Sequence, residues 1–156
     1  KWLKGNEEEE VEQMPTTHIV PLLRQNIRPE IMKEIEFHRG IGAKVIMLSS
    51  ALPYICKPIA AHLEMDDVIC SHLEISDGKF TGNSKGRLVY KQEKAERMKK
   101  YCQSNKFPLE TAWYYGDAFT DRFILKAVGN PVCVQPEIKL KLLAKKQGWK
   151  VLTLAT

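Results

Sequence analysis

The sequence has no long apolar run. No stretch of its 156 residues approaches the roughly 20 apolar residues of a membrane-spanning helix. The first residues are charged and lack the apolar segment of a signal peptide. We therefore expect no membrane partner and no signal peptide. The apolar share of 44% is ordinary for a domain with its own core.

Several motifs that identify common sites are also absent. There is no G-x-G-x-x-G, no P-loop lysine motif and no G-x-S-x-G elbow. The four cysteines form no C-x-x-C pair and the four histidines stand apart, so the spacing does not indicate zinc. We expect the cysteines to be buried, reduced thiols of a cytoplasmic protein.

The net charge is +5, and basic residues are dense at 85–106 and 139–150. A basic surface attracts nucleic acid, acidic membranes or phosphorylated small molecules, although most such stretches are solvated helix faces. No aromatic residues alternate with these lysines at a spacing suited to base stacking. Nucleic acid is therefore not an expected partner.

Short apolar runs alternate with amphipathic stretches along most of the chain. The part up to Gly40 reads as helices, and Asp77-Gly78 is a hairpin turn signal. Five further short strands are predicted, separated by helices, at 45–48, 68–70, 112–115, 131–134 and 149–154. This alternation predicts βαβ units, and so an α/β fold whose mostly parallel sheet is flanked by helices. Such sheets bind ligands at the carboxyl ends of their strands.

Two carboxylates follow the strand predicted at 112–115. Asp117 comes directly after Gly116, and Asp121 lies four residues later, so the two would share a face of a helix that began at the strand end. Hard oxygen ligands suit Mg²⁺, which takes one or two carboxylates together with water and phosphate oxygens. The alternative is a helix cap at Asp117 and a solvated acid in the first helical turn at Asp121.

Two further polar residues lie at the ends of predicted elements. Ser49 follows the first strand, and its hydroxyl could hold a phosphate oxygen together with the amides of a helix that begins near Pro53. Lys94 lies near a helix start, where its charge opposes the helix dipole and calls for an anionic partner. The alternatives are a helix N-cap at Ser49 and an exposed lysine at Lys94.

The order of these segments resembles a known family. The strand ending at Ser49, Lys94 within Gln92–Met98, and Gly116-Asp117 with Asp121 are similar to the second, third and fourth motifs of the haloacid dehalogenase (HAD) superfamily. The similarity is greatest to its phosphoserine-phosphatase-like branch, and it continues through 127–136 and 147–152. It implies a Rossmann-like core over residues 41–156 with a β-hairpin insertion, and a remnant of a helical cap with its return helix over residues 1–40.

The resemblance also implies a role for each matching residue. Ser49 would hydrogen-bond the transferring phosphoryl group, and Lys94 would neutralise charge on that group and on the nucleophile. Asp117 would bind Mg²⁺, and Asp121 would complete or orient the metal shell. These roles position and stabilise a phosphoryl group electrostatically. The implied substrate is a small phosphorylated molecule, selected by the cap.

The family's first motif has no counterpart in the sequence. That motif is a strand ending in D-x-D-x-T/V, whose first aspartate is the nucleophile, and no D-x-D occurs here. In the family this strand lies in mid-sheet, between those ending at Ser49 and Gly116. Without this strand, on the order of ten backbone groups would be unpaired, at a cost of roughly 1–3 kcal/mol each. The summed cost would equal or exceed a typical free energy of unfolding of about 5–15 kcal/mol.

Three explanations of the missing strand are open. We favour a fragment, with the first strand on residues outside this sequence; the alternatives are a strand from another chain, or a sheet that closes differently in a non-catalytic relative. The sequence thus predicts part of a Mg²⁺-dependent phosphomonoester hydrolase working through an aspartyl-phosphate, inactive as this chain alone. The alternative function is a non-catalytic phosphate-binding or regulatory module.

Overall fold

The computed structural model describes residues 3–13, 22 and 26–154. The chain divides into two compact units, residues 1–89 and 90–156. Each unit contains a parallel sheet flanked by helices, which confirms the predicted α/β class. No helix in the described part of the chain has the length and apolar character needed to cross a membrane.

The first unit begins with helical residues 8–13. It continues with α1 (Pro29–Gly40), β1 (Ile46–Leu48), α2 (Pro53–His62), β2 (Asp67–Ile69), β3 (Leu73–Ser76) and β4 (Lys79–Ser84). β1 and β2 form a two-stranded parallel sheet, in which Leu48 lies opposite Ile69. Part of the predicted cap remnant, residues 14–21 and 23–25, lies outside the described residues.

Prolines set the starts of both named helices in this unit. Pro29 and Pro53 each occupy a first helical position, where the missing N–H is not needed and the fixed φ angle suits a helix. α1 then ends at Gly40 as predicted. These boundaries follow from local backbone chemistry, which is why they were readable from the sequence.

The predicted hairpin is formed by β3 and β4, which pair in antiparallel fashion. Its turn residues Asp77 and Gly78 have φ angles of 51° and 76°. Positive φ at both central positions is what a type I′ turn requires, and Asp-Gly is a favoured pair for it. Beneath the hairpin, Phe80 packs with Leu3 and Val11 in a small core.

The second unit is a three-stranded parallel sheet with three helices among its described residues. In chain order it contains α3 (Gln92–Asn105), β5 (Trp113–Gly116), α4 (Arg122–Ala127), β6 (Asn130–Val134), α5 (Ile138–Gln147) and β7 (Lys150–Leu152). The strand order is β5-β6-β7. Single 3₁₀ turns precede β5 and α4, at Leu109–Thr111 and Phe119–Asp121.

Apolar side chains of this unit fill the space between its sheet and its helices. The helix α3 turns Ala95, Met98 and Cys102 inward. The fully buried side chains of this unit come from α4, β6 and α5, and they are Ile124, Leu125, Val132, Cys133, Leu140 and Ala144. This core fixes the carboxyl end of β5, where the predicted carboxylates lie.

The parallel strands of the described residues form two separate sheets, β1-β2 and β5-β6-β7. Within the described residues, β1 pairs on one side only, with β2, and β5 pairs on one side only, with β6. Each of these strands therefore keeps one open edge. The strands in question are the two that end at Ser49 and Gly116, between which the resemblance implies a further strand.

Candidate active site

Three side chains of the second unit form a buried polar cluster: Lys94, Tyr114 and Asp121. The Lys94 ammonium lies 2.7 Å from Asp121 Oδ1 and donates a second hydrogen bond, of 3.2 Å, to the Tyr114 hydroxyl. The side chains of Lys94 and Asp121 are 13% and 5% exposed. Asp121 is thus the anionic partner that the position of Lys94 near a helix start required.

The elements of this unit explain how the polar cluster assembles. Lys94 is the third residue of α3, and Tyr114 is an inward-facing residue of β5. Asp121 is the last residue of the 3₁₀ turn that follows β5, and α4 begins directly after it. A helix start, a strand and a turn therefore each supply one member.

Tyr114 is held in its neutral form. Burial is the main cause that raises the pKa of its phenol above the ordinary range. The negative charge of Asp121, the hydrogen bond to Asp121 and the charge of Asp117 add to the effect. The hydroxyl therefore keeps its proton. It donates a hydrogen bond to the Asp121 carboxylate and accepts one from Lys94.

Gly116 is required by close packing rather than by an unusual backbone angle. A Cβ atom at this position would lie 2.8 Å from Tyr114 Cε1 and 3.0 Å from Asp121 Oδ2. Both distances are tight contacts, so a side chain here would displace the phenol and the carboxylate.

Asp117 is exposed and stands at the carboxyl end of β5. Within residues 90–154 its carboxylate makes no hydrogen bond or ion pair. Its backbone is fixed by Glu137, whose N–H donates to the Asp117 carbonyl at 3.1 Å. The Glu137 carboxylate in turn accepts from the Phe119 amide at 2.7 Å. The loop is therefore held while the Asp117 side chain stays available.

The predicted helical relation between the two carboxylates is wrong. Residues 117 and 118 are not helical, and the regular helix begins only at Arg122, after a 3₁₀ turn. The two alternatives are wrong as well. The 3₁₀ turn is capped by Ala118 and not by Asp117, and Asp121 is not a solvated acid because it is only 4% exposed.

Ser49 lies in the first unit, half-buried at the end of β1. Its amide donates to the Ile69 carbonyl at 2.9 Å, and its hydroxyl accepts from the Ala51 amide at 3.1 Å. The alternative of a helix N-cap is wrong, because α2 is capped by Leu52. The hydroxyl instead stabilises the tight turn that leads away from the strand.

The donor set at the end of β5 is small. Across the described ranges 3–13, 22 and 26–154, no group of three or more His, Cys, Asp or Glu side chains could hold a metal ion. Two carboxylates remain, the exposed Asp117 and the buried Asp121. That set fits Mg²⁺, which needs only one or two protein carboxylates because water and phosphate oxygens complete its octahedron.

Sequence reasoning missed two residues of this site. Tyr114 lies within the strand predicted at 112–115, and Glu137 lies just after the strand predicted at 131–134. The period-two alternation along Trp113–Gly116 does put Tyr114 on the face of Gly116, which was the available signal. No local signal could identify Glu137, because its partners lie 18 or more residues away.

Comparison with known proteins gives concordant results. The family model of haloacid dehalogenase-like hydrolases matches residues 2–126. A histidinol-phosphatase of Neisseria meningitidis is 29% identical over 139 residues, which are 86% of this chain and 61% of that protein. A phosphoserine phosphatase of Lactococcus lactis is 29% identical over 129 residues, with 75% and 60% covered.

A solved structure supports the fold independently. A protein of unknown function from Bordetella pertussis superposes with a TM-score of 0.86 at 20% identity, covering 96% of this chain and 69% of that one. The chain spans about three fifths of the length of the two curated relatives. The match to the family model covers most of the chain and includes Ser49, Lys94, Asp117 and Asp121. The chain therefore belongs to the haloacid dehalogenase-like hydrolase family, with phosphoserine-phosphatase-like relatives, as the order of its motifs predicted.

Proposed function

We propose that this chain carries the metal-binding and phosphate-holding part of a Mg²⁺-dependent phosphomonoester hydrolase that works through an aspartyl-phosphate. The observation that carries the proposal is the buried Lys94–Asp121 ion pair, at 2.7 Å, next to the strand whose end presents Asp117. A buried cation at the mouth of a parallel sheet is suited to a phosphoryl group, whose transfer is catalysed mainly by positioning and charge.

Lys94 is the proposed electrostatic catalyst. Its ammonium would neutralise charge on the phosphoryl group and on the attacking carboxylate, and burial makes that effect stronger than it would be in water. The contact with Asp121, at 2.7 Å, limits the motion of the ammonium. Lys94 can thus act without first reorganising its surroundings.

Asp117 and Asp121 are the proposed metal residues. Asp117 would ligate directly through its exposed carboxylate, and Asp121 would complete or orient the shell from its buried position. Mg²⁺ bound there would supply positive charge to the phosphate oxygens. Ser49 is the proposed hydrogen-bond donor to the phosphoryl group, because its hydroxyl lies at the carboxyl end of β1.

The nucleophile is the part of this enzyme that the sequence does not contain. We propose that it lies on a D-x-D strand supplied by residues outside this sequence or by another chain, in keeping with the open edge that β1 and β5 each keep among the described residues. Residues 1–40 would then be the remnant of a cap and its return helix, and residues 41–156 the core. This chain alone would be inactive.

The proposed substrate is a small phosphomonoester in the cytoplasm. Two relatives at the same 29% identity are named for histidinol phosphate and for phosphoserine, so similarity at this level does not select between substrates. Four buried, free cysteines are in keeping with a reducing compartment.

Replacing Asp117 tests the proposed function. In the full-length protein, Asp117→Asn should lower Mg²⁺-dependent hydrolysis of para-nitrophenyl phosphate by about 100-fold or more, because a charged metal ligand is lost. Asp77→Asn, in the exposed hairpin turn, is the matched control and should retain activity. Wild-type-like hydrolysis by the Asp117 variant would remove Asp117 from the metal site.

A non-catalytic phosphate-binding or regulatory module is the second candidate. The absence of a D-x-D is the observation that favours it. Beryllofluoride with Mg²⁺ distinguishes the two candidates, because it mimics an aspartyl-phosphate and binds only where the nucleophile is present. Saturable binding by the full-length protein supports the hydrolase, and no binding supports the module.

A further inference from the structure

We propose that Tyr114 is a positioning residue of this site, whose phenol holds the Lys94 ammonium and the Asp121 carboxylate in one fixed arrangement. The inference rests on the proposed function for its catalytic meaning, but the arrangement itself can be tested without activity. The phenol would not touch the substrate. It would act through Lys94.

The contacts of the phenol form a closed set of three. Lys94 donates to the Tyr114 hydroxyl at 3.2 Å and to Asp121 Oδ1 at 2.7 Å, and the hydroxyl donates to the Asp121 carboxylate. A single hydroxyl can do both because it carries one proton and two acceptor lone pairs. Tyr114 is therefore bonded to both members of the ion pair.

A buried ion pair needs such additional bonds. Taking two charges out of water is unfavourable unless their remaining donors and acceptors find partners. Asp121 and Lys94 have lost most of their access to water, with side chains 5% and 13% exposed. The phenol oxygen accepts a hydrogen bond from the ammonium, and the phenol O–H donates one to the carboxylate. These two bonds take the place of hydrogen bonds that water makes to exposed charges.

The Tyr114 ring is itself held rigidly, so its hydroxyl has a defined position. Tyr114 is 9% exposed, and its Cε1 atom lies against the backbone of Gly116, leaving no room there for a Cβ. Lys94, in contrast, has a flexible four-carbon stem with several rotamers. A fixed hydroxyl restricts that stem, so that the ammonium stays where the proposed phosphoryl group would bind.

An NMR measurement on the full-length protein tests the arrangement. In protein labelled with ¹⁵N-lysine, the Lys94 ammonium should give a resolved ¹H–¹⁵N signal at neutral pH, assigned by its loss in Lys94→Arg. Tyr114→Phe removes only the hydroxyl and should broaden this signal or abolish it, because exchange with water becomes faster. Tyr115→Phe, the neighbouring residue on the other face of β5, is the matched control and should leave it unchanged.

Steady-state kinetics of the same variants test the catalytic effect. Tyr114→Phe should lower kcat for phosphomonoester hydrolysis by about 10-fold or more while KM changes little, because Lys94 stabilises the transition state more than the bound substrate. Tyr115→Phe should change neither. A purely structural role would lower the amount of folded enzyme instead, which a thermal melt detects.

The outcomes separate the two proposals. If the wild type does not hydrolyse phosphomonoesters but the Lys94 signal responds as expected, the proposed function fails and the positioning role stands. An unchanged Lys94 signal in a folded Tyr114→Phe protein overturns the inference. If that variant does not fold, nuclear Overhauser contacts between the Tyr114 ring and the Lys94 side chain decide in the wild type, and their absence overturns the inference as well.

Discussion

Gly129 shows how strongly one missing side chain can matter. A Cβ at this position would come within 1.6 Å of the Glu110 carbonyl oxygen, which belongs to the backbone of the 3₁₀ turn before β5. Backbone cannot rotate away as a side chain can. Gly129 therefore allows the end of α4 to approach that turn, and the amide of Gly129 donates to the Leu109 carbonyl at 3.3 Å.

Replacing this glycine should be strongly destabilising. We expect Gly129→Ala to lower the free energy of unfolding by about 3 kcal/mol, because the main chain must shift to accept the methyl group. Gly40→Ala is the matched control, since a Cβ there meets nothing within 4 Å and Gly40 is the last residue of a helix. The control should be neutral or slightly stabilising. Denaturant unfolding measures both, and equal effects of the two changes would contradict this account.

At the scale of elements, β1 and β2 are joined by a charged connection at their amino ends. Asp66, just before β2, accepts from the Val45 amide at 2.8 Å and from the Lys44 ammonium at 2.9 Å. The lysine hydrogen bond, then the amide, lower the pKa of the Asp66 carboxyl below its ordinary value. The ionised form therefore stabilises the start of this small sheet.

The contribution of Asp66 should depend on pH. Because the folded pKa is lowered, the stabilisation is present above the unfolded pKa of about 4 and is lost as pH falls through the folded pKa. Asp66→Asn should lower the free energy of unfolding by about 1 kcal/mol at neutral pH, a modest value because the site is partly exposed.

The difference between wild type and Asp66→Asn should begin to shrink below about pH 4, where the carboxyl of the unfolded chain takes up a proton, and should vanish once the pH is below the lowered pKa of the folded protein. Urea unfolding across this range measures it. Asp67→Asn is the control, because an amide oxygen can keep the short contact of Asp67 with the Val68 amide. A difference that stays constant with pH would show that the Asp66 charge is not involved.

At the scale of the whole molecule, both units bury their cysteines. All four are buried and free, which confirms the prediction made from their apolar surroundings: Cys56, Cys70, Cys102 and Cys133. Burial raises the pKa of each thiol, to about 11 for Cys70. Because the thiolate is the reactive form, buried and protonated thiols should be inert.

Thiol labelling checks this property of both units at once. At neutral pH the native protein should react with iodoacetamide at none of these four positions, and after denaturation in guanidinium it should react at all four. Peptide mass spectrometry resolves each cysteine separately. Rapid labelling of Cys102 or Cys133 in the native protein would contradict the packing of the second unit, and labelling of Cys56 or Cys70 that of the first.

The sequence by itself determined the elements and the order of the candidate residues. Pro29 and Pro53 define helix starts, and Asp77-Gly78 defines a turn, because each acts through its own backbone angles. The alternation of short apolar runs with amphipathic stretches identified the α/β class. Family membership followed from the order of Ser49, Lys94 and Gly116-Asp117, which needs no knowledge of distances.

Only the tertiary structure decided how the candidate residues of the second unit are used. Asp121 lies 27 positions from Lys94, and no local pattern indicates that the two form a buried ion pair or that Tyr114 joins them. The spacing of Asp117 and Asp121 predicted a shared helix face, which the structure does not contain because a 3₁₀ turn precedes α4. Contacts between distant residues depend on how a helix start, a strand and a turn pack against one core. Burial of charge and the need to satisfy it then assign each residue its partner.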